Sequence, residues 1–583
     1  MKRIGRREEK RGNKLNIIKI VIVFILLIII IYSIYTSLFR RKDSEINVNN
    51  QLSEAEVTQD NDVQDNKKTI EDIISDFGGE IEEKVKTDTY YITKDGKSYT
   101  AYADGDIVEG KISIWDGTSS EPAIDEAGNY NIYKPQELKW IADKIISGEK
   151  NFGGVTITLR DNLDFGARQN EWDEWEGNVW VSMIGFLDEL NENNNVTQDV
   201  QVENANTTSN EITEQVVENQ DQNIEVTEEN LKRFAGIFNG NSFWIKGVYV
   251  NSDKRYQGLF GYQTGTIQNL TIKNSKIIGG EGTGGIVGLN GGTIVNCHTE
   301  NVEVYCSNKN KIGGISGINM TSSWIENCST EGSAIYGANY VGGITGYMNN
   351  NSAIISSSNS SSVGGTDFIG GIAGITFYGT QIKNCSNLGI NVSGTDYVGG
   401  LVGYSQSDIE NSYSHNKENS EGIIAGTNYV GGLVGLNYLM GNITNSFNYG
   451  EIIANNRTEH TNFGGIVGLN NATISNCYNT GKITVEGDSN MKIGGICGQN
   501  LSDSFIYNSY NIGKIESKNA SGDVDANFGE ISNCFYLNTT VSSNSDNSKD
   551  ETQMKSEILA ELGDEFKEDT ENKNNGYPIL GWQ

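Results

Sequence analysis

GGIVGLNNATISNCYNTGKI, residues 464–483, decides the fold, because its parts recur through most of the chain. A Gly-Gly-aliphatic-x-Gly run is followed by Ile-x-Asn-(Cys/Ser), and in several copies by a third run such as Asn479-Thr-Gly-Lys-Ile483. The second glycine of the pair falls at Gly258, Gly285, Gly314, Gly343, Gly371, Gly400, Gly432, Gly465 and Gly495, in steps of 27 to 33 residues. Self-similarity at this period marks a stack of coils in which each repeat buries its apolar face on its neighbours. A period near 29 residues is too long for one strand and too rich in Gly and Asn for a helical hairpin. It fits one turn of a β-solenoid with two or three short strands. The glycines serve corners that need positive φ or close backbone approach between coils.

The Asn of the Ile-x-Asn run recurs at Asn269, Asn296, Asn327, Asn384, Asn411, Asn445, Asn476, Asn508 and Asn533, with Ser356 in one copy. Asn tolerates the left-handed conformation and bonds nearby backbone. Coils about 4.8 Å apart also let these amides pair up the stack. They read as a structural ladder. Only three prolines occur, Pro122, Pro135 and Pro578, all outside the repeats, as expected where nearly every N–H donates to a ladder.

Seven cysteines form no CxxC pair. Cys297, Cys328, Cys385, Cys477 and Cys534 share one repeat position with Ser357, Ser412, Ser446 and Ser509, which points to a small packed residue and away from a disulfide framework.

The net charge is −32, and residues 1–42 contribute +9 from eleven basic and two acidic residues, leaving −41 on the rest. A body this acidic is a poor partner for nucleic acid, whose binding rests on phosphate neutralisation. Ile20–Phe39, IVIVFILLIIIIYSIYTSLF, carries no charge and has the length of a bilayer span. Eight basic residues before it predict a cytoplasmic N-terminus and an extracellular body. The length of the apolar run and the lack of an A-x-A-like site favour an uncleaved signal-anchor, hence a single-pass protein of the cell membrane, over the rival reading of a cleaved secretory signal peptide.

GLFG at Gly258–Gly261 and GLVG at Gly400–Gly403 and Gly432–Gly435 resemble the GLUG motif. The flanks at Tyr130–Ala142 and Gly236–Gly247 are also similar to segments that accompany it, so the resemblance covers roughly Tyr130 to the C-terminus. It implies bacterial surface or secreted proteins with parallel β-helix-like arrays and no single activity. The expected fold class is all-β: a parallel β-helix or β-solenoid with helical capping segments, preceded by a single transmembrane helix.

The expected organisation is a basic cytoplasmic tail (1–16), the transmembrane signal-anchor (17–39), a disordered acidic linker (40–88) and a small β segment (89–133). Then come the solenoid's N-terminal cap and first coils (134–250, with a disordered insertion at 187–230), GLUG-type repeats (251–540) and a C-terminal cap (541–583). The N-terminal cap contains an amphipathic helix from Pro135 to Gly148, and the C-terminal cap a helical face of Ile558, Leu559, Leu562 and Phe566.

The search for chemistry is short. Immunoglobulin A1 zinc peptidases that carry such repeats need H-E-x-x-H, and His298, His415 and His460 stand in no such pattern. No metal site, cofactor, G-x-S-x-G elbow or P-loop is expected. The best binding candidate is an aromatic column after the Cys/Ser position: Tyr413, Phe447, Tyr478, Tyr510 and Phe535. It reads either as a packing ladder or as a strip for hydrophobic or sugar ligands. The functional expectation is a non-catalytic surface protein in adhesion, display or envelope structure, with wall polymer, glycan or matrix protein as partner. The alternative is a carbohydrate-active β-helix enzyme, a lyase or hydrolase acting through surface carboxylates.

Overall fold

The computed structural model describes residues 68–182, 232–306, 309–454, 461–485, 491–517, 520–542 and 545–583. The chain divides into two compact units at Lys111/Ile112.

In the first unit a helix, Ile70–Phe77, precedes an antiparallel meander of Glu80–Lys86, Thr89–Lys94, Lys97–Tyr102 and Ile107–Glu109. Thr69 and Asp72 form a reciprocal capping box at the helix start, and Gly78 closes it in the left-handed region at φ 76°. Ile70 and Ile74 pack with Tyr90, Ile92 and Ala101. This corrects two expected boundaries. The linker expected to run to residue 88 contains folded structure from Ile70 onward, because the short helix finds an apolar partner in the next strands. The segment 89–133 is split between the two units.

The second unit is a parallel β-solenoid of about 12 turns. One coil shows the plan. Asp396–Gly399 leads through the glycine pair to Val402–Ser405, then Asp408–Glu410, Tyr413–Ser414 and Ile423–Gly426, before Asn428–Gly431 begins the next coil. Each strand pairs in parallel with its counterpart one period on, as in Val402 with Val434 and Leu436 with Leu469. One buried apolar cluster extends through the coils from Trp115 to Cys534. At its beginning, helix Pro135–Ile146 buries Leu138, Ile141, Ala142 and Ile145 completely. Tyr130–Ile132, Thr156–Leu159 and Ile237–Asn239 are the first parallel rungs. The insertion at 187–230 lies outside the described residues.

The left-handed corner sits at the Asn of the Ile-x-Asn run: φ lies between 49° and 54° from Asn269 to Asn533, with Ser356 at 49°. Carboxamides pair there between coils, as in Asn296 to Asn269 at 3.1 Å, Asn476 to Asn445 at 3.0 Å and Asn533 to Asn508 at 3.0 Å. Asn384 and Asn411 share the corner conformation, while the Asn411 amide donates to Glu410. Asn327 donates to Asn296, and Asn508 to Asn476.

Inside the coil, two further amide ladders appear. Asn479 Nδ2 donates to Gly481 O at 2.9 Å and Asn511 Oδ1 at 2.9 Å, while its Oδ1 accepts from Gly481 N at 3.1 Å and Asn448 Nδ2 at 2.9 Å. Every polar position of a fully buried amide is thereby used. A second run links Asn437, Asn470, Asn500 and Asn527.

The second glycine of the pair is required by close approach, not by positive φ. A Cβ on Gly465 would lie 2.0 Å from Gly495 O and 2.5 Å from the Asn479 carboxamide. The cysteines are all buried thiols without disulfides. Cys477 Sγ donates to Ser475 O, as Ser446 Oγ donates to Thr444 O in the coil before.

The expected single-pass membrane localisation is corrected. Among the described residues no helix is long and apolar enough to cross a membrane. The stretch Ile20–Phe39 on which that expectation rested lies outside the described residues, so the structure supplies no spanning helix for it.

These contacts give opposite outcomes for two neighbouring substitutions. Gly465→Ala should lower stability by about 3 kcal/mol, because both obstacles to the new methyl are fixed by the stack. Cys477→Ser should change it by no more than about 1 kcal/mol, because serine makes the same bond elsewhere in the column. Urea denaturation of both variants against wild type measures the contrast.

Candidate functional site

The aromatic column is assembled as its spacing requires. Tyr413 and Phe447 stack at 4.8 Å and 9°, Phe447 and Tyr478 at 5.0 Å and 7°, and Tyr478 and Tyr510 at 5.1 Å and 5°. Phe535 is in register with Tyr510. The column is not an open strip. Met554, Ile558, Leu562, Phe566, Tyr577 and Leu580 from the C-terminal segment close over it. Tyr510 OH donates to Pro578 O and accepts from Asn574 Nδ2 at 2.7 Å. Gln583 Nε2 donates to Tyr478 OH at 2.9 Å, and Trp582 lies over Phe447 at 5.8 Å. Aromatic rings repeated on an outer wall make a strip that water solvates poorly, and the apolar face of the tail covers it.

A second aromatic column stands two residues before the glycine pair, at Tyr340, Phe368, Tyr397 and Tyr429. Successive rings stack at 5.0, 4.7 and 4.9 Å. All four residues are left-handed, with φ of 57°, 60°, 56° and 52°. This conformation is rare for bulky residues and is held here by the coils on either side. The signal was present in the sequence as NYVGG, DFIGG, DYVGG and NYVGG, but it precedes the motif that sets the period.

The residues before these rings form their own ladder, Asn339, Asp367, Asp396 and Asn428, with the two acids in register. Asn428 Nδ2 donates to Asp396 Oδ1 at 2.6 Å. Burial, and then the Asp396 charge, push the Asp367 carboxyl up to about 6, and burial also raises Asp396. Tyr397 and Tyr429 beside them are raised too, mainly by burial.

Past the second strand of each coil, the connecting turn varies in length. Phe377-Tyr378-Gly379, Leu439-Met440-Gly441 and Leu501-Ser502-Asp503 project outward, while Gln406 and Asn471 carry the chain tightly in the coils between. Alternation of long and short turns leaves an open groove of about 530 Å³, lined by Tyr378, Gln406, Leu439, Met440, Asn471, Ser502 and Asp503. Tyr378, Leu439 and Met440 are 57, 57 and 65 % exposed, which makes the walls apolar and accessible. Leu439 is itself left-handed at φ 51°. Gln406 Nε2 donates to Tyr404 OH at 2.8 Å, which fixes one carboxamide at the floor. Tyr404, Tyr438, Leu436 and Leu469 pack with the second aromatic column, so the groove stands on a rigid base.

Other polar candidates do not converge. Among the described residues no three His, Cys, Asp or Glu side chains are grouped to hold a metal ion. His298 Nδ1 lies 2.8 Å from Ser329 Oγ, and His415 is buried with Nε2 2.7 Å from Gly389 O. His460 lies outside the described residues.

Together the coil plan and the amide ladders define a β-solenoid repeat protein. The family model described as the GLUG motif matches residues 459–484, so the resemblance seen in the glycine runs holds at that copy. A stretch of 87 residues is 38 % identical to Halomucin of Haloquadratum walsbyi (strain DSM 16790 / HBSQ001), covering 14 % of this chain. It spans only 1 % of the length of that relative. A crystal structure from Bacteroides ovatus, provisionally named an immunoglobulin A1 protease, aligns over 80 % of this chain and 96 % of that one. Its sequence identity is 16 % and its TM-score 0.33, and at that score the likeness carries no argument.

The acidic pair makes stability depend on pH with a definite sign. The folded carboxyl of Asp367 binds its proton more tightly than an unfolded one, so the pair favours folding most in acid. That contribution is lost as pH rises from the ordinary aspartate range through about 6. Asp367→Asn continues the ladder of Asn339 and Asn428. Its melting temperature should exceed that of wild type at pH 7.5, and the difference should vanish near pH 4.

Proposed function

We propose that this chain is a non-catalytic surface repeat protein whose solenoid serves adhesion or display. The observation that carries the reading is the groove between the projecting turns, where Tyr378, Leu439 and Met440 are exposed on a rigid stack. Exposed apolar groups beside convergent amides are what a binding site needs. Among the described residues Asp503 is the only charged one in the lining, whereas glycoside hydrolysis uses two carboxyl groups across the scissile bond. The GLUG-motif match supports the repeat-protein part of the reading, and the 87-residue likeness to Halomucin is in keeping with a surface protein. Wall polymers, glycans and matrix proteins remain the partner classes.

The second reading, a carbohydrate-active enzyme, draws its support from Asp367 and Asp396, a carboxyl pair of raised proton affinity. Neither residue lines the groove, which favours the binding reading.

The test is to incubate the full chain with immobilised glycans, wall polymers and matrix proteins and to score retention and newly released sugar ends in the same wells. The binding reading expects retention of at least one class without product. New reducing or unsaturated ends would overturn it, and loss of those ends in Asp367→Asn would transfer the assignment to the acidic pair.

A further inference from the structure

The groove also specifies the chemistry of what it holds. Its length follows from the stack: from the turn at 377–379 to the turn at 501–503 it crosses five consecutive coils, roughly 19 Å at about 4.8 Å per step. Its long axis therefore follows the stack, and it suits an extended chain better than a compact ligand. Its walls offer the ring of Tyr378 and the aliphatic surfaces of Leu439 and Met440. The floor offers the carboxamides of Gln406 and Asn471, and the far wall the hydroxyl and carboxylate of Ser502 and Asp503. Carboxamides both donate and accept, which matches hydroxyl groups, themselves donors and acceptors.

Charge narrows the choice. Among the described residues no Lys or Arg lines the groove, Asp503 does, and the whole chain carries −32. An anionic polymer would meet repulsion with no counter-charge to offset it. A peptide added as a further strand needs an open strand edge, whereas the strands beneath the groove pair with neighbours on both sides, as Val402–Ser405 does with Ala373–Thr376 and Val434–Asn437. A neutral sugar chain satisfies these constraints together, with apolar C–H faces for the walls and hydroxyls for the floor.

We infer that the groove lined by Tyr378, Gln406, Leu439, Met440, Asn471, Ser502 and Asp503 is a binding site for an extended, uncharged oligosaccharide lying along the solenoid axis. The assignment rests on the binding reading above and names its ligand class.

Calorimetric titration of the full chain with cellohexaose, chitohexaose and hexagalacturonate tests it, with reducing ends assayed in the recovered samples. At least one neutral hexasaccharide should bind, and hexagalacturonate should bind more weakly or not at all. Tyr378→Ala and Gln406→Ala should each weaken the neutral ligand by about tenfold or more. Tyr507→Ala, which removes an exposed ring from a different strand, should leave the affinity unchanged. Unfolding midpoints of the variants separate lost binding from lost structure. Failure of both neutral ligands, tighter binding of hexagalacturonate, or indifference to both groove substitutions in folded protein overturns the assignment. If the chain still retains a polymer or protein in the array, the binding reading stands and only this site falls. Release of sugar ends would instead bring down the non-catalytic reading itself.

Discussion

Everything in the solenoid depends on how closely two coils approach at the second glycine of each pair. At Gly432, Gly465 and Gly495 the backbone of the next coil and the carboxamides of Asn448, Asn479 and Asn511 occupy the space a side chain would take. The amide that fills this space is fully buried, so it must find a partner for each of its polar positions. It finds them in its own coil and in the same residue one coil away. Glycine and asparagine thus fix one another, and together they fix the register. Where the ladder changes residue it leaves a mark: Asn387 is followed by Ser414 in the next coil, and Asn387 Nδ2 is buried without a partner. Such ends cost stability, and the array tolerates few of them.

With the register fixed, the outer surface becomes a set of columns, one for each position in the repeat. Two aromatic columns show that the same stacking geometry can serve different ends. Tyr413 to Phe535 lie beneath the tail. Tyr340 to Tyr429 instead brace the residues that carry the groove turns. Function can then reside in the turns, whose lengths vary without disturbing the ladder beneath them. The bulge at Leu439-Met440-Gly441 adds residues on one side of the pairing while Asn437 and Asn470 keep their bond at 2.9 Å.

Much of the fold was legible in the sequence because the period is carried by residues with a single physical role. Gly465 can be nothing larger, Asn476 takes a backbone angle few residues accept, and Cys477 interchanges with serine because both donate to the same kind of carbonyl. The helix at Pro135 was legible from its apolar face. The folded segment from Ile70 to Lys86 was not, because its charged composition hides a short helix whose apolar partners come from later strands. The groove was hidden for a related reason. Tyr378 and Met440 belong to no repeating position, and only the alternation of turn lengths between coils brings them to one site. The cover over Tyr478 and Tyr510 was equally hidden, since it depends on where a tail distant in sequence comes to lie.

Backbone hydrogen exchange measured along the chain tests most directly the claim that a continuous amide-laddered stack carries variable turns. The amides of the glycine-pair strands and of Asn448, Asn479 and Asn511 should exchange slowly together, as one cooperative unit. Those of the projecting tips Tyr378, Leu439 and Ser502 should exchange fast. Rapid exchange throughout the ladder positions, or protection confined to isolated coils, would contradict the account.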